Sequence, residues 1–207
     1  YLTQTEQKRF IQHLPDCSVG RALYFILGTG IRAGELSGLQ WSDVQDDCFT
    51  VRQTVRRNRD FAEGAPTRTH LEFGTPKSNA GHRAIPLTTK MQELIQEHRR
   101  LQAATRRATG EEWNDNDLVF CTELGTPYEL RNLNRVLHRT LKKAGLHTMG
   151  AHSLRHSFAT RAVEAGMDIR TLSEILGHTQ VSLTMQLYVH SNMETKKKEM
   201  EKMDIFL

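Results

Sequence analysis

Residues 151–166 read AHSLRHSFATRAVEAG. His152, Arg155 and His156 place two imidazoles and a guanidinium within five residues. Such groups are costly to bury without partners. Yet Leu154, Phe158, Ala159, Ala162 and Val163 surround them with apolar surface. A helix over about 152–165 puts His152 and Arg155, three apart, on one face. The stretch therefore predicts a half-buried helix whose first turn presents cations. His152 and His156, four apart, also have the spacing of a metal pair. The glutamate of an H-E-x-x-H motif is missing, however, and Arg155 would repel a cation, so zinc is disfavoured.

Helical patterning extends outward on both sides. Leu130, Leu133, Val136, Leu137, Leu141 and Ala144 recur at helical spacing before it, up to Gly145. Helices over about 168–176, 181–188 and 194–203 follow, with Gly166 and Gly177 at C-terminal stop positions. Near the start, Thr3-Gln4-Thr5-Glu6 has capping-box form and opens a helix to about Leu14. Residues 18–28 form an apolar helix, and the short helix RAGELSGL follows Gly28-Thr29-Gly30. Cys48–Val55 reads as a strand. Residues 56–70 read as a basic loop. Leu71–Phe73 and His82–Ile85 read as two short strands around the turn PKSNAG. Pro86-Leu87-Thr88 leads into a helix over 88–107. The fold class is α+β, mainly helical, with one small three-stranded antiparallel sheet.

The chain has 207 residues, 38% of them hydrophobic, enough for a sizeable core. No apolar run is long enough to span a membrane. The start, YLTQTEQKRF, has no secretion-signal pattern and no initiator Met, so a piece of a longer protein is expected. Cys17, Cys48 and Cys121 are odd in number and widely spaced, which fits a reducing cytoplasm rather than a disulfide framework. The net charge of +4 points mildly to a polyanionic partner. Arg131, Arg135, His138 and Lys142 form a basic stripe opposite the apolar one. Taken alone, that stripe is better read as a solvated face. Arg52, Arg56, Arg57 and Arg59 enter the basic loop and are better placed to touch DNA. Arg52, Arg56, Arg57, Arg83, Arg131 and Arg135 are the candidate DNA contacts.

Four further segments carry chemistry, each ambiguous by itself. In TGIRAGEL, Arg32 enters a short helix behind glycines, where a guanidinium can fork onto phosphate oxygens. An internal Arg32–Glu35 ion pair fits the same spacing. In TPKSNAGHRAIPL, Lys77 sits in a turn, either simply exposed or, with a lowered pKa, a proton donor. His178 of EILGHTQ is either a phosphate donor or a helix C-cap. Tyr188 of TMQLYVH is either a nucleophile or a core tyrosine.

Read in order, Arg, Lys, His-x-x-Arg, Gly-His and Tyr resemble the catalytic set of the tyrosine recombinases (phage integrase family). The resemblance covers essentially the whole chain. Its motif style is most like the integrases of conjugative transposons and of temperate phages of Gram-positive bacteria. It implies the tyrosine-recombinase catalytic fold and site-specific DNA strand cleavage and rejoining through a 3′-phosphotyrosine. It further implies that Arg32 and Arg155 clamp the scissile phosphate and that Lys77 is the general acid. His152 becomes the acid/base partner, His178 a phosphate donor, Tyr188 the nucleophile and Glu35 a supporting carboxylate. His156 lies one residue beyond the motif, and a structural role behind the site is expected. No cofactor and no metal are expected.

Residues 1–207 are expected to form one catalytic domain, with a tail helix from about 191. Core-binding and arm-binding domains, usual in the family, are expected to be absent from this chain. The expected partners are double-stranded DNA, further copies in a tetramer on DNA, and accessory excision or DNA-bending factors; the tail either docks in trans on a neighbouring copy or packs in cis on its own domain. The expected location is the bacterial cytoplasm, at the nucleoid. Two rivals remain at this point: a type IB topoisomerase and a non-catalytic DNA-binding regulator. The second has no reason to hold all six residues together.

Overall fold

The computed structural model describes residues 1–59, 69–75 and 81–178, together with residues 197 and 201, both helical. Helix α1 (Gln4–Gln12) opens as its sequence predicts. The Thr3 hydroxyl accepts from the Glu6 N–H at 3.3 Å, and the Glu6 carboxylate accepts from the Thr3 N–H at 2.8 Å. Helix α2 (Ser18–Thr29) ends at Gly30, whose φ of 68° is the left-handed stop. Helix α3 (Ala33–Gly38) follows within three residues. The remaining helices are α4 (Thr89–Thr109), α5 (Leu130–Lys143), α6 (Ala151–Glu164) and α7 (Ile169–Leu176). The helices expected over 181–188 and 194–203 lie outside the described residues, apart from 197 and 201.

The strands are β1 (Cys48–Val51), β2 (Thr54–Arg59), β3 (Thr69–Gly74) and β4 (Arg83–Pro86). Here the structure departs from one three-stranded sheet. Two antiparallel ladders form, β1 with β4 and β2 with β3. The expected pairing of residues 71–73 with 82–85 is therefore replaced: both segments belong to one returning arm and pair with the outgoing arm. Cys48 faces Pro86 and Val51 faces Arg83; Thr54 faces Gly74 and Arg59 faces Thr69. In sequence, two residues separate β1 from β2, whereas eight separate β3 from β4. That length mismatch breaks a single ladder into two. The expected loop over 56–70 is shorter than predicted, because β2 continues to Arg59 and β3 starts at Thr69. Cross-strand partners there, such as Arg56 with Glu72, supply opposite charges that an alternation rule does not register.

The main core is built from Phe10, Leu23, Phe25, Ile26, Ile31, Leu36, Phe49, Ile85, Phe120, Leu133, Leu137 and Leu154. The Phe25 ring lies 5.2 Å from those of both Phe49 and Phe120, tilted against each. Buried His98 on α4 stacks 4.6 Å from Phe120, accepts from Arg21 Nε at 3.1 Å and donates to the Val119 carbonyl at 2.7 Å. Burial drives its pKa down to about 4, so it is a neutral structural histidine. A second cluster, Ala159, Ala162, Leu172 and Leu176 with Phe158, Val163 and Met167, docks α7 on α6. Helix α6 therefore bridges two apolar masses, with Leu154 in one and Ala159 in the other.

Gly30 joins these parts. A Cβ there would lie 2.5 Å from Phe158 Cδ1 and 3.0 Å from Leu176 Cδ2, on a backbone with φ of 68°. Gly30→Ala is expected to lower stability by about 1–3 kcal/mol through positive-φ strain and displacement of Phe158. Urea unfolding with an unchanged m-value checks this, and an unaltered midpoint contradicts it.

Candidate active site

Three arginines from three elements meet at the end of α7. Arg83 Nε donates to the Ile175 carbonyl at 2.6 Å. Arg155 Nη2 donates to the Leu176 carbonyl at 2.5 Å. Arg32 Nη2 donates to the Gly177 carbonyl at 3.1 Å. The last carbonyls of a helix have no partners within it and form its negative end. Consecutive guanidiniums fill that role here.

Each arginine is placed by local sequence. Arg32 is the N-cap of α3. An arginine has no acceptor, so only the reverse half of a capping box forms: the Glu35 carboxylate accepts from the Arg32 N–H at 3.0 Å. The same carboxylate takes Arg32 Nη1 at 2.7 Å. The internal ion pair that the spacing allows is therefore formed, while Arg32 Nη2 remains on the Gly177 carbonyl. The Arg32 side chain stays 36% exposed. Arg155, in the second turn of α6, is 3% exposed, and its Nη1 also donates to the Gly30 carbonyl at 2.8 Å. The start of α6 is fixed by Asn134 of α5, whose Oδ1 accepts from the Ala151 N–H at 2.9 Å. That helix N-terminus brings its positive end to the site.

Glu35 is buried and gripped from both sides. Arg83 Nη2 reaches Oε2 at 2.9 Å and Arg83 Nη1 reaches Oε1 at 3.2 Å. Burial alone would raise its pKa; hydrogen bonds and charge from Arg83 and Arg32 outweigh it and hold the carboxyl below its usual range. His178 follows Gly177, and Arg155 Nη2 donates to its Nε2 at 3.0 Å. The acceptor nitrogen requires a neutral ring protonated at Nδ1. Burial, then Arg155, Arg32, Arg83 and His152, pushes its pKa down to about 4. His152 is lowered by burial first, then by His156, Arg155 and Arg32. The His156 ring stands edge-on to that of His152, centroids 4.8 Å apart, and is itself lowered chiefly by burial.

Arg32, Glu35, His152, Arg155 and His178, spread over 147 positions from 32 to 178, are therefore one cluster. Lys77 and Tyr188 lie outside the described residues. Among the described residues no three His, Cys, Asp or Glu side chains are grouped to hold a metal ion.

Of the candidate DNA contacts, Arg56, Arg57 and Arg131 line an open cleft of about 550 Å³ beside Ala33 and Gly34 of α3. Arg57 also pairs with Glu129 at 2.5 Å, and exposed Arg52 pairs with Asp43 at 3.1 Å. Arg135 is exposed on α5. Arg83 is a correction. Its side chain is only 7% exposed and is bonded to Glu35 and to the carbonyls of Ile175 and Gly81, so it lies inside the cluster. The reason is strand alternation: Arg83 and buried Ile85 share one face of β4. That spacing was the one available signal. Nothing in the sequence marks the backbone acceptors at Gly30, Ile175, Leu176 and Gly177.

A phage integrase family model matches residues 1–195. The chain is 30% identical to a tyrosine recombinase XerC-like protein of Caldanaerobacter subterraneus over 90% of its length and 50% of that protein. It is 26% identical to the transposase from transposon Tn916 of Enterococcus faecalis, over 88% of this chain and 44% of that protein. The chain spans about half the length of these relatives. Its fold matches the Tn1549 transposon integrase in complex with transposon right end DNA, with a TM-score of 0.78 at 23% identity, covering 98% of this chain and 65% of the other. XerA recombinase gives 0.69 at 26% identity, covering 98% and 64%.

The His178 environment sets a pH dependence. Its folded value of about 4 lies below the ordinary 6.5, so as pH falls the unfolded chain binds the proton first. Stability is therefore lost between those two values and is unaffected by this group above them. In nitrogen-detected NMR titration the His178 ring is expected to remain neutral at about pH 5, where an exposed histidine is cationic. An imidazolium signal at that pH contradicts the assignment.

Proposed function

As the chain belongs to the phage integrase family, we propose that it is the catalytic domain of a tyrosine site-specific recombinase that integrates or excises a mobile element. The observation that carries this reading is the convergence of Arg32, Arg155 and His178 around the end of α7, with the start of α6 alongside. Arg32 and Arg83 grip the Glu35 carboxylate there, while Arg155 bonds main-chain carbonyls and His178, a concentration of cationic donors suited to a phosphodiester. The relatives named above are recombinases and transposases, which favours strand exchange over relaxation by a topoisomerase or simple DNA binding.

In the proposed reaction Tyr188 attacks a backbone phosphorus. The bond from Tyr188 Oη to phosphorus forms, the bond from phosphorus to the 5′-oxygen breaks, and a 3′-phosphotyrosine remains. His152 takes the phenolic proton; its lowered pKa keeps it a base at neutral pH. Lys77 protonates the departing 5′-oxygen. Charge gathers on the nonbridging oxygens, where Arg32, Arg155 and His178 act. The two arginines are anchored on backbone carbonyls and the His178 ring on Arg155, so little reorganisation is needed as that charge develops. One such donor is typically worth about 2.7–4 kcal/mol. The phosphodiester energy is retained in the protein–DNA bond, and a second 5′-hydroxyl reverses the step on a new partner.

Double-stranded DNA would run along the cleft lined by Arg56, Arg57 and Arg131, with exposed Arg52 and Arg135 as further contacts. The residues from about 191 would form a tail helix docking within or between copies, in a tetramer on DNA that accessory excision or DNA-bending factors assist. The setting would be the bacterial cytoplasm, at the nucleoid. Among the described residues no helix is long and apolar enough to cross a membrane.

Two experiments test the chemistry, using nicked duplexes tiled across DNA flanking the coding sequence. Tyr188→Phe is expected to keep DNA binding and abolish the covalent adduct on a denaturing gel; a persisting adduct removes Tyr188 from the nucleophile's role. Lys77→Ala is expected to cleave poorly and to regain activity on a 5′-bridging phosphorothiolate, whose thiolate leaves without a proton. Failure to regain activity removes Lys77 from the acid's role.

A further inference from the structure

We infer that Arg83 is a positioning residue of the strand-transfer reaction, acting through Glu35 and the end of α7 on the groups that hold the phosphate. This rests on the recombinase reading above. Its guanidinium joins three parts of the chain: both Glu35 oxygens on α3, the Ile175 carbonyl on α7, and the Gly81 carbonyl at 3.1 Å before β4. At 7% side-chain exposure, it is held inside the cluster rather than on the surface where DNA would lie.

The chain of contacts has a direction. Arg83 fixes the plane of the Glu35 carboxylate. That carboxylate then holds Arg32 twice, through its guanidinium at 2.7 Å and its backbone N–H at 3.0 Å. The same guanidinium pins Ile175, three residues before His178. One side chain thereby sets Arg32 relative to His178. Buried ion pairs add little net stability compared with apolar packing of the same volume. The fork geometry, by contrast, supplies a fixed angle between a carboxylate and a carbonyl, which an ammonium cannot reproduce.

The test uses Arg83→Met, Arg83→Lys and Glu35→Gln in the full chain, with the nicked duplex that wild type cleaves. Single-turnover adduct formation is measured at saturating DNA, beside gel-shift affinity and a thermal melt. Arg83→Met is expected to slow cleavage on the order of 10–100-fold, the scale of a misplaced catalytic group. Its DNA affinity stays near that of wild type. Arg83→Lys recovers part of the rate, and the Met variant stays slow on the bridging phosphorothiolate. Combining it with Glu35→Gln costs no more than the slower single change, because both act on one linkage. Wild-type rate in the Met variant, loss confined to affinity, full multiplication of the two changes, or restoration by the phosphorothiolate each overturns the role. If the Met variant fails to fold, Arg83→Lys decides: slow cleavage with a wild-type melt supports the role, and a wild-type rate overturns it. A wild type that forms no adduct overturns the recombinase reading and this role with it; an active wild type beside an unaffected lysine variant overturns this role alone.

Discussion

The last three carbonyls before His178 are each held by a different arginine, and the rest of the site depends on that grip. A helix end is an electrostatic sink at which main-chain acceptors must find partners. Supplying guanidiniums instead of solvent does two things at once. It ties α7 to α3, α6 and β4 through Arg32, Arg155 and Arg83. It also concentrates positive charge beside the His178 imidazole, which burial first and these cations second keep neutral. Glu35 is the counterweight; with no carboxylate among them, three buried or half-buried cations would repel one another across a medium that screens poorly.

The apolar framework explains why such a cluster is tolerated. Helix α6 is wedged between the main core and the small cluster that seats α7, so Arg155 has little freedom to move. Gly30 sits at the same junction and contributes both a turn and an acceptor. Position is thus set by packing, and charge is arranged on top of it. In this order of causes a change far from any phosphate, in Phe158 or Leu176, reaches the site through geometry rather than through electrostatics.

Much of this was legible in the sequence, for identifiable reasons. Helices α2, α5 and α6 carry long apolar periodicities ended by glycine, and the structure places them within a few residues of the expected bounds. The pairing of Arg32 with Glu35 followed from helical spacing. The strands fared worse: four short segments pair in a way that depends on unequal arm lengths, which no local pattern encodes. For Arg83, named only as a candidate DNA contact, the two-residue offset from Ile85 is the local signal of burial. The main-chain acceptors were invisible in principle, since every residue carries one and only tertiary contact selects among them.

The broken hairpin has a consequence of its own. Because β1–β4 and β2–β3 keep separate registers, each behaves as an independent zipper closed on its own pairs. Arg83 belongs to the β1–β4 zipper, opposite Val51. The cluster it closes is therefore keyed to that one register, and a slip between β2 and β3 would leave its place on the sheet unchanged.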